Sequence, residues 1–204
     1  MVTKLVILTI IWLIYIISDY YLLPYFFQPI VWLVVCLMLF SLSIRQIIKI
    51  VKERKKLNQN RIVSLSITLI LLLLTFYNFN KFPSAVMEKI DWAISYDKRK
   101  QIVNEVQEGK LTPNTEMKNG ICELPFKFPL VSNGGNDIWI TTNKNNGTRT
   151  IKFWISRGFF ESPQTYFIYT DALESQQYYQ DLIKNYPEHN WKLEENWFRI
   201  TERL

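Results

Sequence analysis

Histidine and cysteine are the residue types that most often carry catalysis or bind metals, and this chain of 204 residues has one His and two Cys. The histidine, His189, lies in the turn-like sequence Pro187-Glu188-His189-Asn190. No HExxH, CxxC or GxSxG spacing and no glycine-rich phosphate-binding motif accompanies it. The sequence therefore predicts no catalytic residue, no metal site and no cofactor, and His189 is interpreted as an exposed turn residue.

A polar loop from Ser132 to Asp137 is the first candidate binding feature. Its Gly134 and Gly135 permit positive φ angles, so that free backbone N–H groups could bind an anion or a peptide carboxylate. Arg157, at the predicted end of a strand, could recognise a carboxylate as well. The alternative for both is structural, namely a loop that turns sharply and an arginine that forms a salt bridge.

Trp139 and Trp154 are the other candidate binding residues. In the runs 138–140 and 153–155, alternation places each Trp on one sheet face and its Ile or Phe neighbours on the opposite face. If the helix predicted after Asp171 covers the aliphatic face, the Trp face would be an exposed aromatic surface, as is common at binding hot spots. The alternative is a sheet that is buried on both faces, and the pattern does not decide between them.

Residues 82–204 predict a small α+β domain with an antiparallel sheet, which would position these candidates. Helical spacing covers 84–108, as one helix or as two with Asp97 as a cap, and Trp92 and Tyr96 are expected to contact lipid headgroups. Asp171 and Glu174 predict a capped helix. Strands are expected at 138–142, 151–156, 166–170, 191–193 and 197–200.

Residues 1–81 predict a membrane domain with three transmembrane helices. These helices are expected at about 4–23, 27–44 and 62–80, because each run is long and nearly uncharged. The loop at 45–61 carries seven Lys/Arg and one acid, a composition that keeps it in water. All six glycines lie after residue 81, so helix contacts are expected to use small polar residues: Ser41, Ser43, Ser64, Ser66 and Thr68.

The charge distribution predicts the orientation in the membrane. Basic loops face the cytoplasm, so the amino terminus is expected inside, and three spans then place residues 82–204 outside in a multi-pass cell-membrane protein. Residues 1–81 carry a net charge of +7 and residues 82–204 a net charge of −1. The basicity is therefore explained by topology, and no nucleic-acid partner is expected.

A set of short motifs resembles a pattern in uncharacterised membrane proteins of Gram-positive bacteria that have a carboxy-terminal extracytoplasmic domain. The resemblance covers mainly residues 97–170 and implies a bacterial source, but no activity. The motifs are Arg99, Ile102-Val103, Gly109-Lys110-Leu111, Leu124-Pro125, Ser132, Gly134-Gly135 and Arg157-Gly158-Phe159.

These patterns favour a membrane-anchored, non-enzymatic protein whose outer domain recognises a protein or peptide, for example an immunity protein against a secreted toxin. One alternative is a membrane sensor or regulator that signals through the basic loop, and a weaker one is an enzyme at the membrane surface. The expected partners are the lipid bilayer and a protein or peptide outside it. The sequence leaves open whether the chain forms a homo-oligomer.

Overall fold

In a computed structural model, the described residues are 2–23, 26–53, 59–78, 82–116, 120–133, 135–143, 146–157 and 163–202. The chain divides into two compact units, Met1–Lys89 and Ile90–Leu204. The first unit contains three helices and the start of a fourth. The helices are α1 (Val2–Tyr21), α2 (Gln28–Lys52), α3 (Gln59–Asn78) and α4 (Phe82–Gln107), which continues into the second unit.

Helices α1, α2 and α3 are each long and apolar enough to cross a membrane. Helix α2 begins with a proline in its first turn, where the missing N–H costs no hydrogen bond. It then continues to Lys52, so the prediction of a loop from residue 45 is wrong for Arg45–Lys52. The stretch Arg45–Lys52 is rich in isoleucine and lysine and contains no glycine or proline, so nothing in its sequence ends the helix.

Helix α3 packs against both α1 and α2 through polar contacts. The indole N–H groups of Trp12 and Trp32 donate to the hydroxyl and the carbonyl of Thr75, each at 2.8 Å. Gln46 Nε2 donates to Thr68 Oγ1 at 2.9 Å. The expectation that small polar residues lie at helix contacts is confirmed for Thr68. Ser43 is buried and donates to Leu39 O of its own helix, Ser64 is half-buried, and Ser41 and Ser66 are exposed.

The second unit is built on a six-stranded antiparallel sheet with the order β1-β2-β3-β4-β6-β5. Helix α5 (Leu173–Asn185) lies between β4 and β5 in the chain. The predicted antiparallel sheet is confirmed, with β1 as an additional strand. The strands are β1 (Ile121–Glu123), β2 (Asp137–Thr142), β3 (Arg149–Ser156), β4 (Gln164–Thr170), β5 (Trp191–Glu194) and β6 (Trp197–Glu202).

The sheet is covered on both faces. Trp92 of α4 contacts Phe167 with a centroid distance of 4.9 Å, and Tyr179 of α5 contacts Phe198 at 5.6 Å. Phe198 is paired with Ile168, the neighbour of Phe167, so the two helices lie on opposite faces. Helix α5 covers the face that carries Trp139 and Trp154, and α4 covers the aliphatic face. This is the reverse of the predicted assignment of the helix after Asp171.

Two local predictions about helix ends are also corrected. Helix α4 is continuous through Asp97, which settles the open question of one helix or two and excludes Asp97 as a cap. Helix α5 has Ala172 at its N-cap and no side-chain cap. The carboxylate of Asp171 instead accepts a hydrogen bond from the backbone N–H of Arg149 at 2.8 Å, which ties the helix approach to strand β3.

Candidate functional site

A cleft of about 260 Å³ opens in the second unit on the α4 side of the sheet. One wall is a face of α4 and the other is the turn between β5 and β6. The cleft combines charged and aromatic groups. Its lining consists of Tyr96, Lys100, Val103, Asn104, Tyr169, Glu194, Glu195, Asn196 and Trp197.

The floor of the cleft is aromatic. Trp197 is 3% exposed and packs edge-on against Tyr169 with a centroid distance of 5.4 Å. The two rings lie side by side because Trp197 of β6 is paired with Tyr169 of β4. Trp92 packs against Trp197 from the helix side at 5.2 Å. The floor is therefore a rigid apolar surface that is held in place from two sides.

The wall formed by the β5–β6 turn is fixed by hydrogen bonds. Asn196 has a φ of +64°, the left-handed conformation that asparagine tolerates better than most residues, and the register of β5 against β6 shifts next to this turn, as in hairpins with a bulge. Its carbonyl accepts from Thr170 N at 3.0 Å, and its side-chain oxygen accepts from Gln176 Nε2 at 2.7 Å. This wall of the cleft is thus preformed.

A hydrogen bond links two side chains that line the cleft. Tyr96 Oη donates to Glu194 Oε2 at 2.5 Å and so joins α4 to β5. This hydrogen bond raises the pKa of the Tyr96 phenol, with smaller contributions in the same direction from desolvation and from the charges of Glu194 and Asp97. Glu194 is therefore already hydrogen-bonded. The charged side chains of the cleft that remain to bind a ligand are Lys100 and Glu195.

Lys100 and Glu195 face the cleft from opposite walls. Within the part of the chain that the structure describes, neither side chain makes a hydrogen bond or an ion pair. A cationic and an anionic group above an aromatic floor can bind a ligand that has both charges and an apolar group between them. A short stretch of polypeptide meets these requirements.

The predicted aromatic binding surface is not a surface at Trp154. Trp154 is 5% exposed and belongs to the core with Tyr166 and Tyr179, and its indole N–H donates to Gln164 Oε1 at 3.0 Å. Trp139 is half-buried and stacks on Trp154 at 6.4 Å. Of the two alternatives, the buried sheet face is the one observed, and the expectation that Trp154 is an exposed binding residue is wrong, because α5 covers this face.

In the loop before β2, where the sequence predicts an anion site, backbone N–H groups already donate hydrogen bonds to acceptors within the protein. The side-chain oxygen of Asn136 accepts hydrogen bonds from Val131 N at 2.8 Å and Ser132 N at 3.3 Å. Asn133 N donates to Trp154 O at 2.8 Å. Gly135 has a φ of +129°, as the predicted sharp turn requires, whereas Gly134 lies outside the described residues.

Arg157 belongs to the same structural network. Its guanidinium forms a salt bridge with Asp137 at 2.9 Å, donates to Asn133 O at 3.1 Å and lies 4.1 Å above the ring of Trp154. These contacts support the structural alternative for this arginine. The predicted binding residues Gly135, Trp154 and Arg157 are thus brought close together, but as parts of one packing network.

The remaining chemical candidates are isolated. His189 lies in a turn with an exposed side chain, as predicted, 3.9 Å from Glu188. Cys36 and Cys122 are free thiols, and burial is the main cause that raises the pKa of Cys122. Among the residues described, no group of three or more His, Cys, Asp or Glu could hold a metal ion.

Comparison with known proteins adds no function: no family model, curated protein or solved structure matches the chain. The cleft itself gave no signal in the sequence. Tyr96 and Lys100 are one helical turn apart, but Glu194, the hydrogen-bond partner of Tyr96, is 98 positions away from it. Only the tertiary packing of α4 beside the β5–β6 hairpin brings these groups together.

Proposed function

We propose that the chain is a membrane-anchored, non-enzymatic binding protein that holds a peptide segment of a partner protein in the α4 cleft. Helices α1–α3 form the anchor, and residues 90–204 lie outside the cytoplasm. The basic residues between α2 and α3 support this orientation, because positive charge is retained on the cytoplasmic side.

The observation that carries the proposal is the pairing of free charges with a rigid aromatic floor. Lys100 would bind an acidic group of the peptide, Glu195 a basic group, and Trp197 with Tyr169 an apolar side chain between them. Aromatic anchors surrounded by polar groups are typical of binding hot spots. Because the β5–β6 turn is already fixed, little conformational entropy is lost when this wall binds a peptide.

The proposal can be tested with the full chain in detergent micelles and a library of random linear peptides. The most enriched peptide should bind wild-type protein, and Lys100→Glu should raise its Kd by about tenfold or more, since one charge pair is reversed. The matched control is Lys184→Glu, which makes the same change at an exposed position of α5 on the other side of the sheet.

Two results would contradict the proposal. One is a library that yields no peptide enriched over empty micelles. The other is a set of enriched peptides that lose affinity equally on Lys100→Glu and Lys184→Glu. Thermal melts of both variants exclude unfolding as the cause, because Lys100 and Lys184 are exposed and should leave the Tm unchanged.

A further inference from the structure

Helix α4 has a buried face and an outer face of opposite character. The buried face carries Asp91, Arg99 and Ile102, each at most 1% exposed. On the outer face, Val86 is 47%, Ile90 43% and Ile94 76% exposed. Ile90 and Ile94 are thus exposed on the same helix whose other face packs on the sheet.

These three aliphatic residues form one continuous stripe. Their spacing of four residues places them in a row along the helix, and the row from Val86 to Ile94 is about 12 Å long. The stripe ends abruptly, because the next residues on the same face are the exposed Asp97 and Gln101. The outer face of α4 is therefore apolar only in its first half, which is the half that follows α3 in the chain.

We propose that this stripe, Val86, Ile90 and Ile94, lies in the interfacial layer of a lipid bilayer. Helix α3 ends at Asn78 and α4 begins at Phe82, so Val86, the first residue of the stripe, comes eight residues after the end of a helix that could span a membrane. An interfacial helix buries its apolar side about 5–10 Å deep at the boundary of headgroups and acyl chains. The change to Asp97 and Gln101 marks where α4 leaves this layer.

The lipid contact differs from the predicted one. Trp92 and Tyr96 were expected at the headgroups, but Trp92 packs on Phe167 at 4.9 Å and Tyr96 is bonded to Glu194. Both aromatic side chains thus belong to the sheet side of α4. The aliphatic residues on its outer side are the ones available to lipid.

The inference rests on the proposal that α1–α3 span the membrane, and one fluorescence experiment separates the two. Single cysteines replace Ile94, Gln101 or Leu73 in the full chain after Cys36→Ala and Cys122→Ala, and each is labelled with an environment-sensitive fluorophore. The proteins are reconstituted in vesicles of phosphatidylcholine and phosphatidylglycerol with or without nitroxide-labelled lipid. Leu73 is the reference for lipid contact, since it is 57% exposed on α3.

The inference predicts strong quenching at positions 73 and 94, with quenching at 94 at least about twice that at 101, because an interfacial residue lies within reach of the nitroxide. Quenching at 73 but equally weak quenching at 94 and 101 would overturn the inference and leave the anchor in place. No quenching at 73 would overturn the membrane proposal itself. Protection of 94 from both lipid-borne and aqueous quenchers would show a protein partner or a second copy on the stripe, and this too would overturn the inference.

Discussion

The two units of this chain differ in where most of their large apolar side chains lie. In the second unit the fully buried positions include Ile138, Phe153 and Ile168, as the hydrophobic effect predicts for the core of a domain in water. In the first unit Thr68 and Thr75 are 0% exposed, while most Leu, Ile, Val and Phe side chains face outward. The arrangement of the first unit, with its apolar side chains facing outward, is stable in apolar surroundings. There, hydrogen bonds rather than burial from water hold helices together.

The second unit also buries polar side chains, and among them is a charged pair. Arg99 and Asp91 form an ion pair at 2.6 Å, with side chains only 1% and 2% exposed. The guanidinium also donates to Val131 O at 2.9 Å and lies 4.6 Å above the ring of Phe167. The pair therefore connects α4 to both the loop before β2 and the sheet, and these contacts compensate for the burial of its two charges.

Arg99→Ala should have the largest effect on the second unit. It leaves the carboxylate of Asp91 buried without its partner, at a cost of about 4–5 kcal/mol in the free energy of unfolding. Chemical denaturation followed by tryptophan fluorescence measures this cost, and Lys100→Ala, an exposed basic residue one position away, is the control. A loss below about 1 kcal/mol would mean that the pair is open to solvent. Asp91→Leu combined with Arg99→Met should recover part of the lost stability.

Trp154→Ala should cost about 3–4 kcal/mol, since it empties a large volume in the core under α5. Trp191→Ala is the matched control, because Trp191 is 38% exposed at the edge strand and should lose much less. The comparison distinguishes a core from a binding surface. If Trp154→Ala melts like wild type but loses peptide binding, the aromatic face is the functional surface after all.

The second unit should lose stability at alkaline pH. Burial, followed by the charge of Glu202, raises the pKa of Tyr166 to about 12. The phenol of an unfolded chain titrates near pH 10, so between these values the folded state binds the extra proton and stability falls as pH rises, by at most about 1.4 kcal/mol per pH unit. Tyr166→Phe should flatten this slope in melts at pH 9–12, and Tyr186→Phe, at an exposed position, should not. An unchanged slope in Tyr166→Phe would contradict the assignment.

Thr75→Val should have the smallest effect, although the Thr75 side chain is 0% exposed. The change keeps the side-chain shape but removes the hydrogen bond from Trp12, while the bond from Trp32 to the backbone remains. Hydrogen bonds between helices in membranes contribute about 0.6 kcal/mol on average, which unfolding in mixed micelles can measure. Thr9→Val, which removes only a bond to the helix's own Leu5, is the control. A loss above about 2 kcal/mol in the free energy of unfolding would contradict this expectation, because the bond from Trp12 would then contribute far more than an average hydrogen bond between membrane helices.

Local patterns in the sequence predict the elements but not their partners. Alternation correctly separates Trp154 from Phe153, because the period of a strand is a property of the backbone. It cannot decide which helix covers which face, since both faces are apolar enough to be buried. The basic run at Arg45–Lys52 has a similar ambiguity, because charge keeps it out of lipid but does not end a helix.

The cleft was beyond prediction for a different reason. Each of its residues has an ordinary local role, in a helix, a strand or a tight turn, and none belongs to a recognisable motif. The site exists because Asn196 fixes the hairpin turn and Tyr96 reaches Glu194 across the sheet edge. Contacts of such large sequence separation are determined by the packing of the whole unit.

Both proposals rest on one arrangement, with residues 1–89 as the anchor and residues 90–204 outside the cytoplasm. Single cysteines at Lys56, in the basic segment, and at Asn145, in the sheet unit, test it directly in a background with Cys36→Ala and Cys122→Ala. On intact cells an impermeant thiol reagent should label position 145, and it should label position 56 only after the membrane is permeabilised. Labelling of position 56 but not 145 on intact cells would contradict the account.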